Sequence, residues 1–307
     1  MDIIGVGYLG FETAKLDEWR DYATEVLGWQ TAPGVSGEDA LHFKIDDRRN
    51  RFTFAHGPVD RLAYIGWEAI GRMEYLAALA TFDREGVPYE RGDAALAAER
   101  GVRELIRFKD PVGYQHELFY GQKFTPGSFL PPRPHGGFET AERGMCHLVV
   151  ITPDYTDALE DFLVRIMGFR WYGSGAGKGR TGFFRSKLND RTSHDIAYGH
   201  GPGMRGIQHV GIYLKSMRDV GQTYDRVQKR QIPMMMTLGQ HTQDPHVSFY
   251  HYSPSGFAIE AIWEMEPWVP EMFEPNPEVL SAWGHELVGP VLGPSVRKIS
   301  ELGDAAA

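Results

Sequence analysis

The 307-residue sequence contains a single cysteine, Cys146, so it can form no internal disulfide. Disulfides form and persist in oxidising compartments, and a lone cysteine favours a reducing location. The N-terminal stretch also lacks the charged and apolar regions of a signal peptide. We therefore expect a cytoplasmic protein whose stability comes from its hydrophobic core.

Long apolar runs and blocks of basic residues are absent as well. No stretch approaches the ~20 apolar residues that a membrane-spanning helix needs. Lysine and arginine number 32 against 41 aspartate and glutamate, which gives a formal net charge of -9. A nucleic-acid-binding surface would instead require clustered positive charge. We predict neither a membrane nor a nucleic acid as a partner.

The chain does have ample core material and an internal repeat. Hydrophobic residues make up 42% and charged residues 24%, a globular composition. A unit of one strand, one helix and several further strands recurs four times, starting near positions 5, 62, 144 and 206. Two such units per half predict an α+β protein of two similar domains, each of two βαβββ units forming a curved mixed sheet with helices outside.

Regular spacings define the repeat. They are 20 positions from Tyr8 to Gly28, 21 from His147 to Gly168, and 24 both from Tyr64 to Pro88 and from His209 to Pro233. The turns at 110–113 and 253–256 also correspond. Each is followed, four positions after its glycine, by an acid, Glu117 or Glu260.

Domain boundaries follow from a change in composition. Residues 121–143 are rich in proline and glycine and show no periodicity, as in a linker. We predict an N-terminal domain at 1–121, a linker at 122–143, a second domain at 144–265 and a C-terminal tail at 266–307.

Aligning the halves brings out one chemical difference. Tyr8, Tyr64 and Glu117 correspond to His147, His209 and Glu260. Two histidines and a carboxylate form a facial triad that favours non-haem Fe(II). A lone histidine on a strand is more often a hydrogen-bonded core residue, and a carboxylate in an apolar run can be compensated by a basic side chain or a hydrogen-bond network. The coincidence of all three at equivalent points favours a metal.

Three stretches resemble a known family. GQHTQDPHVSFYHYSPSGFAIE at 239–260, the opening GYLGFE and the helix end LGW are similar to the type I extradiol catechol dioxygenases of the vicinal oxygen chelate superfamily, in particular the 2,3-dihydroxybiphenyl 1,2-dioxygenase group. The resemblance implies a non-catalytic N-terminal domain and a catalytic iron domain at 144–265. It also implies Fe(II), or else Mn(II), as cofactor, a catechol and O2 as substrates, ring cleavage beside the two hydroxyls, and a homo-oligomer. The expected catechol is aryl-substituted or fused-ring.

The resemblance also implies roles for individual residues. His147, His209 and Glu260 match the metal ligands, and His194 matches a histidine near the O2 site that acts in proton transfer. The remaining matches are His241 and Tyr250, which bond the catechol oxygens, Asp244, which orients them, and Phe183 or Phe184 with Val149 in the pocket wall. Period-two alternation along the strand before the 253–256 turn independently allows Tyr250 to face the metal.

Two alternative functions stay open at this point. A glyoxalase-like isomerase of the same superfamily would use Zn or Ni and usually two glutamates, of which the repeat supplies one beside the histidines. A non-catalytic module that sequesters an aromatic ligand would lack the triad of His147, His209 and Glu260.

Overall fold

The computed structural model describes residues 1–32, 36–125, 127–140, 144–174, 181–188, 194–242, 246–264 and 278–302. These residues form two mixed sheets. The first sheet contains β1 (Ile3–Thr13), β2 (Gln30–Thr31), β3 (Ala40–Lys44), β4 (Phe52–His56), β5 (Arg61–Ala69), β6 (Glu90–Arg91), β7 (Glu104–Lys109) and β8 (Gln115–Tyr120). Its strand order is β2-β3-β4-β1-β5-β8-β7-β6.

The second sheet repeats this order and adds a strand. Its members are β9 (His147–Thr152), β10 (Arg170–Ser174), β11 (Thr181–Arg185), β12 (Ile196–His200), β13 (Met204–Tyr213), β14 (Met234–His241), β15 (His246–Tyr252), β16 (Ala258–Glu264) and β17 (Ser281–Gly284). The order is β10-β11-β12-β9-β13-β16-β15-β14-β17, and β18 (Arg297–Lys298) pairs with β13. The additional strand β17 comes from the stretch that the composition assigned to the tail.

One helix follows the first strand of each unit, and the second unit has an additional helix. The helices are α1 (Leu16–Asp21), which continues as a π-helix over Tyr22–Leu27, α2 (Arg72–Glu85), α3 (Ala94–Arg100), α4 (Asp157–Asp161), which continues as a π-helix over Phe162–Ile166, and α5 (Met217–Lys229). The first helical segment ends at Gly28, whose φ of 78° is the left-handed conformation that glycine adopts at helix ends. Ser216 caps α5 by accepting a hydrogen bond from the Asp219 N–H.

The predicted α+β fold of four βαβββ units is therefore confirmed. One helix departs from the prediction, because α3 interrupts the strands of the second unit. Asp93 caps it through the Leu96 N–H, and Gly101 ends it with a φ of 70°. Among the described residues, no helix is both long and apolar enough to cross a membrane.

The repeat extends to the hydrogen-bond register. In the first sheet, Gly66 lies opposite Tyr8 on one side and Glu117 on the other. In the second sheet, Gly211 lies opposite His147 on one side and Glu260 on the other. A glycine thus stands at the centre of each sheet, between the two paired side chains on the neighbouring strands.

Buried polar contacts join the two sheets. The Asp110 carboxylate accepts hydrogen bonds from the Tyr198 hydroxyl at 2.7 Å and from His116 Nε2 at 3.1 Å. The Tyr114 hydroxyl donates to the Ile151 carbonyl at 2.7 Å. Unmade bonds at such buried groups are costly, so these contacts fix how the halves dock.

Candidate metal centre and its surroundings

Three side chains converge on one face of the second sheet. His147 begins β9, His209 lies in β13 and Glu260 lies in β16, and these strands are neighbours. Residues directly opposite one another on adjacent strands point to the same face, and so do residues two apart on one strand. Because Gly211 is opposite both His147 and Glu260, and His209 is two residues before Gly211, all three side chains meet over that glycine.

The distances between their polar atoms fit a metal. His147 Nε2 lies 2.9 Å from Glu260 Oε2 and 3.2 Å from His209 Nε2, and His209 Nε2 lies 3.5 Å from Glu260 Oε2. Ligands at right angles, each about 2.1 Å from an ion, would stand about 3 Å apart. Two imidazoles and one carboxylate are also the donor set of a facial triad. The donors present therefore suit a divalent transition metal.

The far side of each imidazole is held by a hydrogen bond. His147 Nδ1 lies 2.8 Å from the Tyr213 hydroxyl, and His209 Nδ1 donates to Gln208 Oε1. Gln208 is in turn fixed by donating to the Val291 carbonyl at 3.1 Å. Such partners orient a ligating imidazole. The Gln208 oxygen can only accept, so it places the His209 proton on Nδ1 and leaves Nε2 free to bind a metal.

Electrostatics favour the metal-binding protonation states. Burial lowers the pKa of His209 to about 3, so its imidazole is neutral. Burial alone would raise the pKa of Glu260, but the hydrogen bond with His147 and the electrostatic influence of the nearby histidines hold it well below its usual value. Neutral imidazole and ionised carboxylate are the forms that ligate metals.

His194 and Phe183 form one wall of the site. The His194 ring lies 4.4 Å from the His147 ring, and Phe183 packs edge-on against His194 at 4.8 Å. Burial, together with the neighbouring His147 and His209, lowers the pKa of His194 well below its usual value. Its imidazole is therefore neutral, so one ring nitrogen can donate a hydrogen bond and the other can accept a proton.

Tyr250 and His241 form the opposite wall. Tyr250 is directly opposite Glu260 in the β15–β16 pair, and its ring contacts the His209 ring edge-on at 5.2 Å. The Leu280 carbonyl lies 3.1 Å from His241 Nδ1 and can only accept, so Nδ1 carries the proton. With the proton on Nδ1, His241 Nε2 accepts a hydrogen bond from the Tyr250 hydroxyl, 2.7 Å away.

The other sequence-predicted site residues divide into three cases. Val149 is opposite His209 in the β9–β13 pair and shares the face of the triad. Phe184 is fully buried in the hydrophobic core, where its ring contacts Tyr198, so only Phe183 of the two alternatives touches His194. Asp244 lies outside the described residues.

Three contacting residues escaped the sequence reading. Tyr213 could have been predicted from the sequence, because alternation along the strand from His209 places Tyr213 on the same face. Gln208 could not have been predicted, because it faces His209 only through a register shift between Ile207 and His209. His285, which packs against His241 with ring centroids 4.2 Å apart, belongs to the C-terminal segment, where no periodic pattern gave a signal.

The equivalent place in the first sheet holds an arginine. Glu117 accepts hydrogen bonds from the Tyr8 hydroxyl at 2.6 Å and from Arg100 Nε at 3.0 Å. The Arg100 guanidinium also lies 3.8 Å above the Tyr64 ring. A permanent side-chain cation thus compensates the buried carboxylate in this half, and tyrosines replace the histidines.

Two family profiles match the chain. One, described as dihydroxybiphenyl dioxygenase BphC D1, matches residues 6–57. The other, the glyoxalase, bleomycin resistance protein and dioxygenase superfamily, matches residues 144–261.

Individual proteins are similar over nearly the whole length. The 3-methylcatechol 2,3-dioxygenase of Pseudomonas putida is 32% identical over 94% of this chain and 100% of its own. The iron-dependent extradiol dioxygenase of Rhodococcus jostii is 31% identical over 93% of this chain and 98% of its own. A crystal structure described as BphC, a halotolerant catechol dioxygenase, has a TM-score of 0.87 and 33% identity, and the match covers 96% of this chain and 99% of that one.

Proposed function

Because this chain belongs to the extradiol ring-cleaving dioxygenases of the vicinal oxygen chelate superfamily, we propose that it opens a catechol ring beside the two hydroxyls, with Fe(II) held by His147, His209 and Glu260. One observation carries the proposal: two imidazole nitrogens and one carboxylate oxygen converge, buried, on a single point. The reaction inserts both atoms of O2 into the substrate and yields a ring-opened acid whose other end is an aldehyde, or a ketone where the cleaved carbon carries a substituent.

The metal and the protein divide the chemistry. A bound Fe(II) supplies a Lewis acid that lowers the pKa of a catechol hydroxyl and open positions that hold the reactants together. Tyr250 and His241 take up the proton. A catechol hydroxyl can give its proton to the Tyr250 oxygen while the Tyr250 proton moves to His241 Nε2. The Leu280 carbonyl, which already accepts from His241 Nδ1, then stabilises the doubly protonated ring.

We assign His194 to proton transfer on the other side of the site. Its ring lies against His147 and is held edge-on by Phe183. A neutral imidazole that is shielded from bulk water can accept a proton from the reacting groups and, once protonated, return it to the opening ring, which is the usual role of a histidine at neutral pH. Tyr250 and His241, which accept the proton of the incoming catechol, therefore lie on one wall of the site, and His194, which acts later, lies on the other.

The substrate is proposed to be an aryl-substituted or fused-ring catechol. Val149 and Phe183 offer apolar surface beside His209 and His194. The profile that matches residues 6–57 is named for a dihydroxybiphenyl dioxygenase, and an iron-dependent relative favours Fe(II) over Mn(II). One methylene changes a preference by only ~1–3 kcal/mol, so the choice among catechols needs measurement.

The decisive experiment is anaerobic reconstitution with Fe(II) or with Mn(II), followed by oxygen uptake on four diols. These are catechol, 3-methylcatechol, 2,3-dihydroxybiphenyl and 1,2-dihydroxynaphthalene. We expect one O2 consumed per diol, fastest with Fe(II) and with a two-ring substrate, and both labelled atoms of ¹⁸O2 in the product. No uptake with any diol, or cleavage between the hydroxyls, would overturn the proposal.

Location and assembly are also proposed. A single cysteine, Cys146, which is buried, suits a cytoplasmic protein. Exposed apolar side chains cluster in the C-terminal segment at Val279, Trp283, Leu287 and Val288, and exposed patches of this kind mark subunit interfaces. We propose a homo-oligomer, and light scattering on the purified protein should give a mass of at least two chains of 34.6 kDa each.

The Gln208 contact predicts a graded loss of metal. Gln208→Leu removes the oxygen that accepts from His209 Nδ1 and leaves the ring free to rotate. Loss of such a partner weakens metal binding by about 10–100-fold. Fe(II) titration against a competing chelator measures the change, with Gln222→Leu on the exposed face of α5 as the matched control. Equal affinities in the two variants would mean that Gln208 does not orient His209.

A further inference from the structure

The C-terminal segment 278–292 runs along the edge of the second sheet beside the proposed proton acceptors. Its strand β17 pairs with β14, with Gly284 opposite Gly239 and Trp283 opposite Gln240. The pairing continues past the strand, since the Thr237 N–H donates to the Glu286 carbonyl at 3.0 Å. Backbone pairing therefore ties this segment to the strand that carries His241.

His285 leaves β17 in an unusual backbone conformation. Its φ of 51° is in the left-handed region, which costs a non-glycine residue energy. Its backbone nitrogen would lie only 2.2 Å from a Cβ at Gly239, so the two strands touch closely at this point. The unusual turn directs the His285 side chain inward, where it is 5% exposed.

A hydrogen bond locks the His285 ring. Its Nε2 lies 3.0 Å from the Ser248 carbonyl, which can only accept, so Nε2 carries the proton and donates. Ser248 is two residues from Tyr250 on β15 and shares its face. The ring is thereby anchored to the strand that also carries Tyr250.

The locked ring supports the proton acceptors. The His285 ring lies 4.2 Å from the His241 ring at 50°, and 5.8 Å from the Tyr250 ring at 73°. His241 is thus confined from two directions by one segment: Leu280 holds its Nδ1, and His285 covers its face. Both restraints keep His241 Nε2 on the Tyr250 hydroxyl.

We propose that His285 is a positioning residue for ring cleavage, which holds the His241 imidazole in line with the Tyr250 hydroxyl. The inference rests on the proposed function, because it presumes that His241 and Tyr250 take a proton from the catechol. It assigns to the C-terminal segment a part in the reaction beyond packing. A ring that only filled space would stabilise the fold and leave proton transfer unchanged.

The test compares wild-type Fe(II) enzyme with His285→Ala and His285→Phe. We expect kcat to fall on the order of tenfold in the alanine variant, with a much smaller change in KM, because a misplaced proton acceptor loses part of the ~100-fold or more that general acid–base catalysis contributes. The phenylalanine variant keeps a ring but loses the hydrogen bond to Ser248, and its kcat should lie between those of the wild type and His285→Ala. Iron content and melting temperature are measured for each.

A second readout reports the proton directly. Bound anaerobically, 4-nitrocatechol absorbs at longer wavelength with each proton it loses, and we expect a smaller fully deprotonated fraction in His285→Ala than in the wild type. The matched control is His251→Gln, a fully buried histidine on the other face of β15, stacked on Phe249. It should lower stability without moving the spectrum.

The outcomes separate the two proposals. Lower melting temperature with unchanged kcat and unchanged spectrum in both His285 variants would show a purely structural role and refute the inference. If His285→Ala does not fold, the phenylalanine variant carries the same comparison. A wild-type enzyme that consumes oxygen with none of the four diols would instead refute the proposed function.

Discussion

Replacing His209 by alanine is expected to leave only trace iron and no measurable ring cleavage. His209 contributes one of the three converging donor atoms, and its pKa of about 3 keeps that donor available at neutral pH. Loss of a partner behind a ligand costs about 10–100-fold in metal affinity, so loss of the ligand itself should exceed the upper end of that range. Metal analysis after reconstitution and oxygen uptake measure the two effects.

The first sheet provides the control for this variant. Tyr64→Phe changes the equivalent position, and Tyr8→Phe changes the position equivalent to His147. Both should keep full iron and nearly full activity, because Glu117 in that half is compensated by Arg100. Stoichiometric iron in His209→Ala would contradict the ligand assignment, and metal loss from either tyrosine variant would move the site to the other half.

Gly211→Ala is expected to weaken metal binding although none of the three ligand residues is substituted. A Cβ at Gly211 would lie 2.1 Å from Cε1 and 2.3 Å from Nε2 of His147, closer than atoms can approach. The His147 ring must therefore move off the converging point. We expect iron binding to fall at least as far as in Gln208→Leu, with a loss of about 1–3 kcal/mol in the free energy of unfolding from overpacking. Chelator titration and denaturant unfolding measure these.

The matched control is Gly66→Ala, which makes the same clash in the other half. A Cβ at Gly66 would lie 2.2 Å from Cε2 of the Tyr8 ring. The free energy of unfolding should fall by a similar amount, but iron content should not. If Gly211→Ala bound iron as tightly as the wild type, the His147 ring could not be the group that the glycine accommodates.

The correspondence between residues of the two halves was predictable, because the repeat can be recognised from residue spacings. Counting from turns and helix ends paired Tyr64 with His209 and Glu117 with Glu260, and the strand registers give the same pairs through Gly66 and Gly211. Alternation likewise put Tyr250 on the face toward the metal, and the register sets it opposite Glu260. Periodicity and residue spacing are properties of the sequence itself, so a single sequence is enough to predict these features.

The remaining features depend on contacts between distant parts of the chain. Gln208 reaches His209 only because the strand register slips beside it, and His285 reaches His241 only because β17 adds to the sheet edge. Neither leaves a periodic trace. The helix that carries Arg100 does have a recognisable sequence signal: Asp93 caps it, its body is rich in alanine, and Gly101 ends it. It was missed because the repeat predicts a single helix in each unit.

The arginine in the first sheet has a consequence for how the protein reaches its active form. Arg100 is specified by the gene, so the charge that balances Glu117 is present whenever the chain has been translated. The charge proposed to balance Glu260 must come from the surroundings. Iron starvation should therefore spare one half and leave the other incomplete, and hydrogen exchange on protein from iron-depleted cells should be faster around Glu260 than around Glu117. The two halves of the chain thus differ in the source of the cation that balances the buried carboxylate, which is an encoded arginine in one half and, as proposed, a metal taken up from the medium in the other.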